Sequence, residues 1–408
     1  MRTHGEVVVA ALPGARVGDG ARIHGDGRVL LGEVAAVERA RVTIAPFGSV
    51  VGIAVGDRVE VWDAALASPV GFRAIGRAFD AGGAPLDGRG EIAAIRARVE
   101  RESGTQPGSR RAVDTPFWTG VRAVDGLLTI GRGARLGIFG AAAAGKTTLL
   151  EMIAAGAAGD AVVLALVGER GREAQTWFGR IDGRTTIVCA TSDRSASERI
   201  RAADVAMAQA RNLARAGLDV VLIVDSLARY ATALRERHVS LGESVGRGGY
   251  PPSVWAALAR FLERAGVVER GSITLIATVL TDGDDEREPL AEAARSLLDG
   301  HIVLSSALAR AGQFPAIDVL SSSSRTMAAV ARADHAGAAR NVRAALALLA
   351  ETKDARSLGL VRDAGAALSA AVAAEGALAA FFRQSESTRP TETLSSLFSL
   401  SELVEPLR

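Results

Sequence analysis

The chain has 408 residues, 48% of them hydrophobic, and 48 Lys plus Arg stand against 46 Asp plus Glu. That length suggests roughly two or three domains, and the near balance of charge excludes a whole-protein field for nucleic acid or anionic lipid, leaving only local patches. A single cysteine, Cys189, excludes an internal disulfide and a cysteine-based zinc site.

Residues 1–75 carry short Val-rich runs at 6–10, 28–37, 41–45 and 59–62, separated by Gly18-Asp19-Gly20, Gly25-Asp26-Gly27 and Gly56-Asp57. Short strands with close turn signals predict a small β-barrel. No secretory signal is expected at residues 1–11, where Glu6 breaks the apolar run. Residues 76–118 are richer in Gly, Pro and charge and read as a connecting segment. Residues 119–332 alternate apolar runs with helical stretches; the runs are 134–139, 161–167, 185–190, 220–224, 273–279 and 302–304. Nearly continuous apolar strands between helices predict an α/β fold with a mostly parallel sheet covered on both faces. Cys189 falls inside one of these runs and reads as a buried structural thiol. Ser321–Ser324 reads as a short polar tract. Residues 333–408 are Ala- and Leu-rich and predict helices. The stretch 364–382 comes nearest to a membrane span, but Glu375 interrupts it, and no run reaches the ~18 apolar residues a span needs.

The chemistry concentrates in 119–332. Gly140-Ala-Ala-Ala-Ala-Gly145-Lys146-Thr147 fits the G-x-x-x-x-G-K-[ST] phosphate loop. The strand at 134–139 precedes it and a helix at 148–158 follows, so Ala142, Ala143, Ala144 and Gly145 can turn their N–H groups on one point. Lys146 can then reach the terminal phosphates and the Thr147 hydroxyl can ligate magnesium. A chance Ala-rich turn would not bring strand, loop and helix in that order. Asp225 ends the apolar strand 220–224, the Walker B arrangement for a carboxylate near the metal. Taken alone it could equally cap the next helix; the phosphate loop decides for the metal. Glu169 follows the strand 161–167 within Gly168-Glu-Arg-Gly-Arg-Glu173. Hydrolysis needs a carboxylate to orient the attacking water, and Glu173 could serve the hydrated metal, although alternating charges in a loop are more often a solvated turn. Arg325, in Ser321-Ser-Ser-Ser-Arg-Thr326, could neutralise charge on a γ-phosphate. Whether it would reach its own nucleotide or a neighbour's is open, and a lone arginine is more often a surface residue.

With these residues in place, the chain resembles the type III secretion ATPases, virulence and flagellar, relatives of the catalytic subunit of rotary ATP synthases. The likeness covers nearly the whole chain. It is densest in Thr119-Gly-Val-Arg-Ala-Val-Asp-Gly-Leu-Leu-Thr-Ile-Gly-Arg-Gly133, Val167-Gly-Glu-Arg-Gly-Arg-Glu173, Gly249-Tyr-Pro-Pro-Ser-Val254, Gly271-Ser-Ile-Thr274, Leu298-Asp-Gly-His-Ile-Val-Leu304 and Phe314-Pro-Ala-Ile-Asp-Val-Leu320. The resemblance implies a RecA-like P-loop NTPase core between an N-terminal β-barrel, which forms a ring's crown, and a C-terminal helical domain. It implies a homohexamer that hydrolyses Mg-ATP at sites between subunits to drive protein export. By the same likeness Glu169 is the catalytic carboxylate, Arg170 and Arg229 line the phosphate site, and Asp225 lies near the metal. Thr148 follows the phosphate-binding residues, Arg325 is the arginine finger given to a neighbour, and Phe314 packs on adenine with Phe382 as a second wall. Implied partners are a stalk protein, a regulator and chaperone–substrate complexes, with no nucleic acid. The implied location is cytoplasmic, at the inner-membrane export gate.

Several residues depart from the family pattern. Ala142, Ala143 and Ala144 stand where relatives often have Pro-Gly, and Thr148 where they have Ser. Alanine keeps the N–H donors but loses turn freedom, so turnover is expected to slow while binding survives. Residues 243–248 lack the usual prolines, Ser306 replaces a common arginine, and Glu288 and Glu292 follow the acidic stretch 282–286 in place of frequent aspartates. Three other functions would use some of the same residues. A rotary synthase subunit would need a non-catalytic partner chain and has a longer C-terminus. An RNA translocase would need open aromatic platforms in the N-terminal domain, where Phe47 and Trp62 are among the few aromatics. A silent structural subunit would have no use for Glu169 or Arg325.

Overall fold

The computed structural model describes residues 2–4, 6–39, 41–99, 111–281, 288–360 and 365–405. The acidic stretch 282–286 lies outside these residues. The chain forms two compact units that interleave along the sequence: Met1–Arg110 with Asp160–Thr278, and Arg111–Gly159 with Val279–Arg408.

In the first unit, the N-terminal residues build a six-stranded antiparallel sheet in the order Arg2–His4, Val7–Ala10, Arg41–Pro46, Arg28–Glu38, Gly20–Gly25, Arg58–Val61. Val8, Ile23, Val34 and Ile44 close its apolar core. The strand Gly20–Gly25 is not legible as an apolar run, because its ends look like turns. Gly20 is required by a close approach: a Cβ there would meet the Trp62 carbonyl oxygen at 2.3 Å. Two of the aromatics there carry a guanidinium of this chain on the ring face, Arg22 over Trp62 and Arg201 over Phe47.

The same unit holds the parallel strands 272–278, Asp219–Asp225, Ala161–Val167, Thr185–Ala190 and Ala78–Asp80, side by side in that order. All residues of Ala161–Val167 and Thr185–Ala190 are buried, which is why these strands read as unbroken apolar runs. Ala78–Asp80, inside the expected connecting segment, is a real edge strand too short to leave a pattern. Burial pushes the Cys189 thiol up to about 12, so it stays protonated and inert. Helix Ala196–Arg215 starts at a reciprocal capping box of Ser195 and Glu198. From it, Asp204 meets Arg264 at 2.8 Å, with both side chains at most 3% exposed. Removing one partner leaves the other charge buried without its mate, which costs about 3–5 kcal/mol. Arg264→Met should therefore lower the urea midpoint sharply, and adding Asp204→Leu should recover most of the loss. A single substitution that leaves the midpoint unmoved would show that water reaches this pair.

In the second unit, the phosphate-loop strand Arg135–Gly140 pairs in parallel with Gly300–Leu304, and Ile317–Ser324 adds an antiparallel edge. The polar tract Ser321–Ser324 is the end of this strand. Its polar serines leave no apolar run to read, yet they are satisfied: Ser322 donates to the Asp318 carbonyl at 2.5 Å and accepts from the Val303 N–H at 2.9 Å. The turn before the phosphate loop is pinned by Asp125, whose carboxylate accepts from the Thr119 N–H and hydroxyl and the Gly120 N–H at 2.7–2.9 Å. Full burial raises this carboxyl to about 7 against those hydrogen bonds. The C-terminal residues form helices Ala333–Ser357, Gly365–Ala373, Glu375–Phe382 and Pro390–Val404. The first and last of these pack together. Among the described residues no single helix is long and apolar enough to cross a membrane; one bent pair, Gly365–Ala373 with Glu375–Phe382, matches by length and composition only.

Candidate active site

The phosphate loop follows the buried strand Arg135–Gly140 and opens helix Lys146–Gly156, two residues earlier than the sequence pattern predicts. The loop turns through two left-handed residues, Ala143 (φ 63°) and Gly145 (φ 90°). Successive left- and right-handed residues turn their N–H groups inward, the geometry that holds an anion. Glycine adopts that conformation freely. Ala143 does so at a cost of about 1–2 kcal/mol, which gives the alanine substitutions a physical consequence at one position. The Lys146 ammonium arches over the loop and donates to the Gly140 and Ala141 carbonyls, both at 2.6 Å. Thr147 and Thr148 stand exposed on the helix's first turn.

Phe314 lies beside the loop: its ring is 43% exposed, and a Cβ on Gly145 would meet it at 3.8 Å. The Gln384 N–H donates to the Phe314 carbonyl at 2.8 Å. Phe382, expected as a second adenine wall, is buried edge-to-face against Phe381 with centroids 5.5 Å apart. That packing gives it a core role and leaves Phe314 as the aromatic with an open face. Arg325 follows the edge strand Ile317–Ser324. Its guanidinium is exposed and forms no ion pair with a described residue, donating only to the Arg295 carbonyl at 3.4 Å.

The first unit gathers the acidic residues. Glu169 lies just beyond strand Ala161–Val167, 5% exposed. Arg229, from helix Leu227–Ser240, places its Nε 2.9 Å from Glu169 Oε1 and donates from Nη1 to the Gly168 carbonyl at 2.5 Å. Burial raises the Glu169 carboxyl from 4.5 to about 8; a hydrogen bond with Glu173 and the charge of Asp225 push the same way, against Arg229. Glu169, Glu173, Asp225 and Arg229 are therefore brought together. Arg170 is exposed at the N-cap of helix Gly171–Phe178, apart from this cluster's hydrogen bonds and ion pairs. Thr278, which the sequence pattern passes over, donates to Asp225 Oδ1 at 2.6 Å.

Among the described residues no group of three or more His, Cys, Asp and Glu forms a ready cation cage. A magnesium ion needs no such cage, because it keeps several waters and takes phosphate oxygens as ligands.

Phosphate loop, strand-end carboxylates and parallel strands define a P-loop ATPase. Residues 120–324 match the ATP synthase alpha/beta family, nucleotide-binding domain. A "Type 3 secretion system ATPase" of Sinorhizobium fredii is 44% identical over 393 residues, covering 94% of this chain and 87% of that protein. A "Flagellum-specific ATP synthase" of Treponema pallidum is 42% identical over 402 residues, covering 96% and 90%. The structure of the assembled ATPase EscN of enteropathogenic E. coli, in complex with its central stalk EscO, superposes with a TM-score of 0.88 at 36% identity, covering 98% of this chain and 99% of that one. The chain belongs to the type III secretion ATPases, injectisome and flagellar, and is an ATP-hydrolysing enzyme of type III protein export.

Proposed function

We propose that the chain works as a homohexameric ring at the cytoplasmic face of the inner membrane, where it uses ATP hydrolysis to release substrates from chaperones and unfold them for export. We favour an injectisome over a flagellum. The Sinorhizobium relative supports that choice, and the stalk bound to EscN supports a stalk partner here. In this reading residues 1–75 form the crown. Lys146 and the N–H groups of 142–145 grip the phosphates, and Phe314 packs on adenine. Thr147, Asp225 and Glu173 would hold magnesium, which when bound would offset charge on the phosphate oxygens. Glu169 orients and polarises the attacking water.

The observation that carries the ring reading is Arg325. An exposed guanidinium with no ion-pair partner among the described residues is available to a second chain. A ring of identical chains also separates this reading from a synthase, whose catalytic subunit needs a non-catalytic partner. Hydrolysis per chain should climb with protein concentration, in step with the mass measured by mass photometry in Mg-ATP. Constant specific activity from a species of one chain's mass would sink the proposal.

A further inference from the structure

We propose that Thr278 is a positioning residue for the reaction: its buried hydroxyl fixes the orientation of the Asp225 carboxylate. The inference rests on the reading of Asp225 as the carboxylate on the magnesium side of the site.

Parallel pairing puts Ala277 opposite Val224, so Thr278 falls level with Asp225 at the end of its strand. Its neighbours Ile273, Leu275, Ile276, Ala277 and Val279 are all apolar and fully buried, and Thr278 is fully buried with them. Valine would fill that place equally well and would leave no polar atom to satisfy. The hydroxyl therefore needs a reason beyond packing.

A hydroxyl has one proton to give. Two acceptors lie near it: the Val224 carbonyl at 3.4 Å and Asp225 Oδ1 at 2.6 Å. A threonine serving only its strand would place its proton on the neighbouring carbonyl at ordinary length. Here the short bond goes to the carboxylate, where an ionised acceptor makes the hydrogen bond about twice as strong. Asp225 is the last residue of its strand, so the sheet fixes its backbone but not the torsion of its side chain. Thr278 contributes a restraint on that torsion. Partners behind a metal-binding group commonly matter 10–100-fold for metal affinity or activity.

The test uses the full chain with Thr278→Val, Thr278→Ser, Thr278→Ala and Asp225→Asn. Two quantities are measured: the magnesium concentration giving half-maximal hydrolysis, and the affinity for ADP by calorimetry with and without magnesium. Thr278→Val and Thr278→Ala should each raise the half-saturating magnesium about 10-fold. They should shrink the magnesium-dependent gain in ADP affinity in proportion, while metal-free ADP binding stays at the wild-type level. Thr278→Ser should restore the wild-type response. A purely structural role would lower melting temperature without changing the magnesium response, and that result overturns the inference. The alanine variant gives the same readout if the valine variant does not fold. If Asp225→Asn shifts the magnesium response and Thr278→Val does not, Thr278 is ruled out and the reading of Asp225 stands. If Asp225→Asn has no effect either, the reading of Asp225 is what fails.

Discussion

An Arg325→Ala chain is expected to hydrolyse ATP about 10³–10⁵-fold more slowly than wild type, the range seen when a guanidinium is removed from a transferring phosphate. The effect should appear in kcat, with nucleotide affinity of the isolated chain almost unchanged. The structure explains why the substitution should be clean. Arg325 is held through its backbone: its N–H donates to the Asp299 carbonyl at 2.9 Å. The Asp299 carboxylate is in turn held by the Arg135 N–H, Nε and Nη2 at 2.9–3.1 Å. Alanine removes the charge and keeps that frame, so stability should change by no more than about 0.5 kcal/mol. Mixing then decides where the arginine acts. Arg325→Ala chains combined with Glu169→Gln chains should regain hydrolysis, since some interfaces would pair an intact carboxylate with an intact guanidinium. Mixed rings no more active than their components would mean that the arginine serves its own nucleotide or none.

The elements legible from the sequence were those whose signal is local. Ala161–Val167 and Thr185–Ala190 have the extents their apolar runs predict, because burial on both faces leaves no polar position to break the run. Gly20–Gly25, Ala78–Asp80 and Ile317–Ser324 were hidden for separate reasons: glycine ends, a length of three residues, and a polar serine run in place of an apolar one. The interleaving of the two units was hidden as well, since compactness depends on contacts between distant stretches. The candidate site divides in the same way. Lys146, Thr147 and Asp225 stand out because their spacing to a strand is fixed along the chain. The Thr278–Asp225 bond and the Arg229–Glu169 pair come from sheet register and helix placement, separated by 53 and 60 positions, and leave no local trace. Phe382 shows the converse: an aromatic near the right place in the sequence whose ring is spent on packing.

Glu169→Gln should lower kcat by about 10²–10⁴-fold, the usual contribution of a positioned base, while ATP still binds. Its pH behaviour separates this role from simple damage. With its carboxyl raised to about 8, chiefly by burial, Glu169 is mostly protonated in the nucleotide-free chain at neutral pH and cannot yet accept a proton. In wild type, kcat/KM should therefore rise with pH and level off above about 8, since that ratio reports groups of the free enzyme. The glutamine variant should lose this rise. Stability responds with a definite sign. Between the ordinary 4.5 and about 8, the folded chain keeps a proton on Glu169 that the unfolded chain has released. Folding stability then falls as pH rises through this window. Glutamine cannot ionise, so the variant should melt above wild type at pH 8.5, with the gap closing as pH falls toward 4.5. A gap that does not change with pH would show that Glu169 titrates alike in the folded and unfolded chains, and a wild-type kcat/KM flat from pH 6 to 9 would remove it as the group that governs the attack of water.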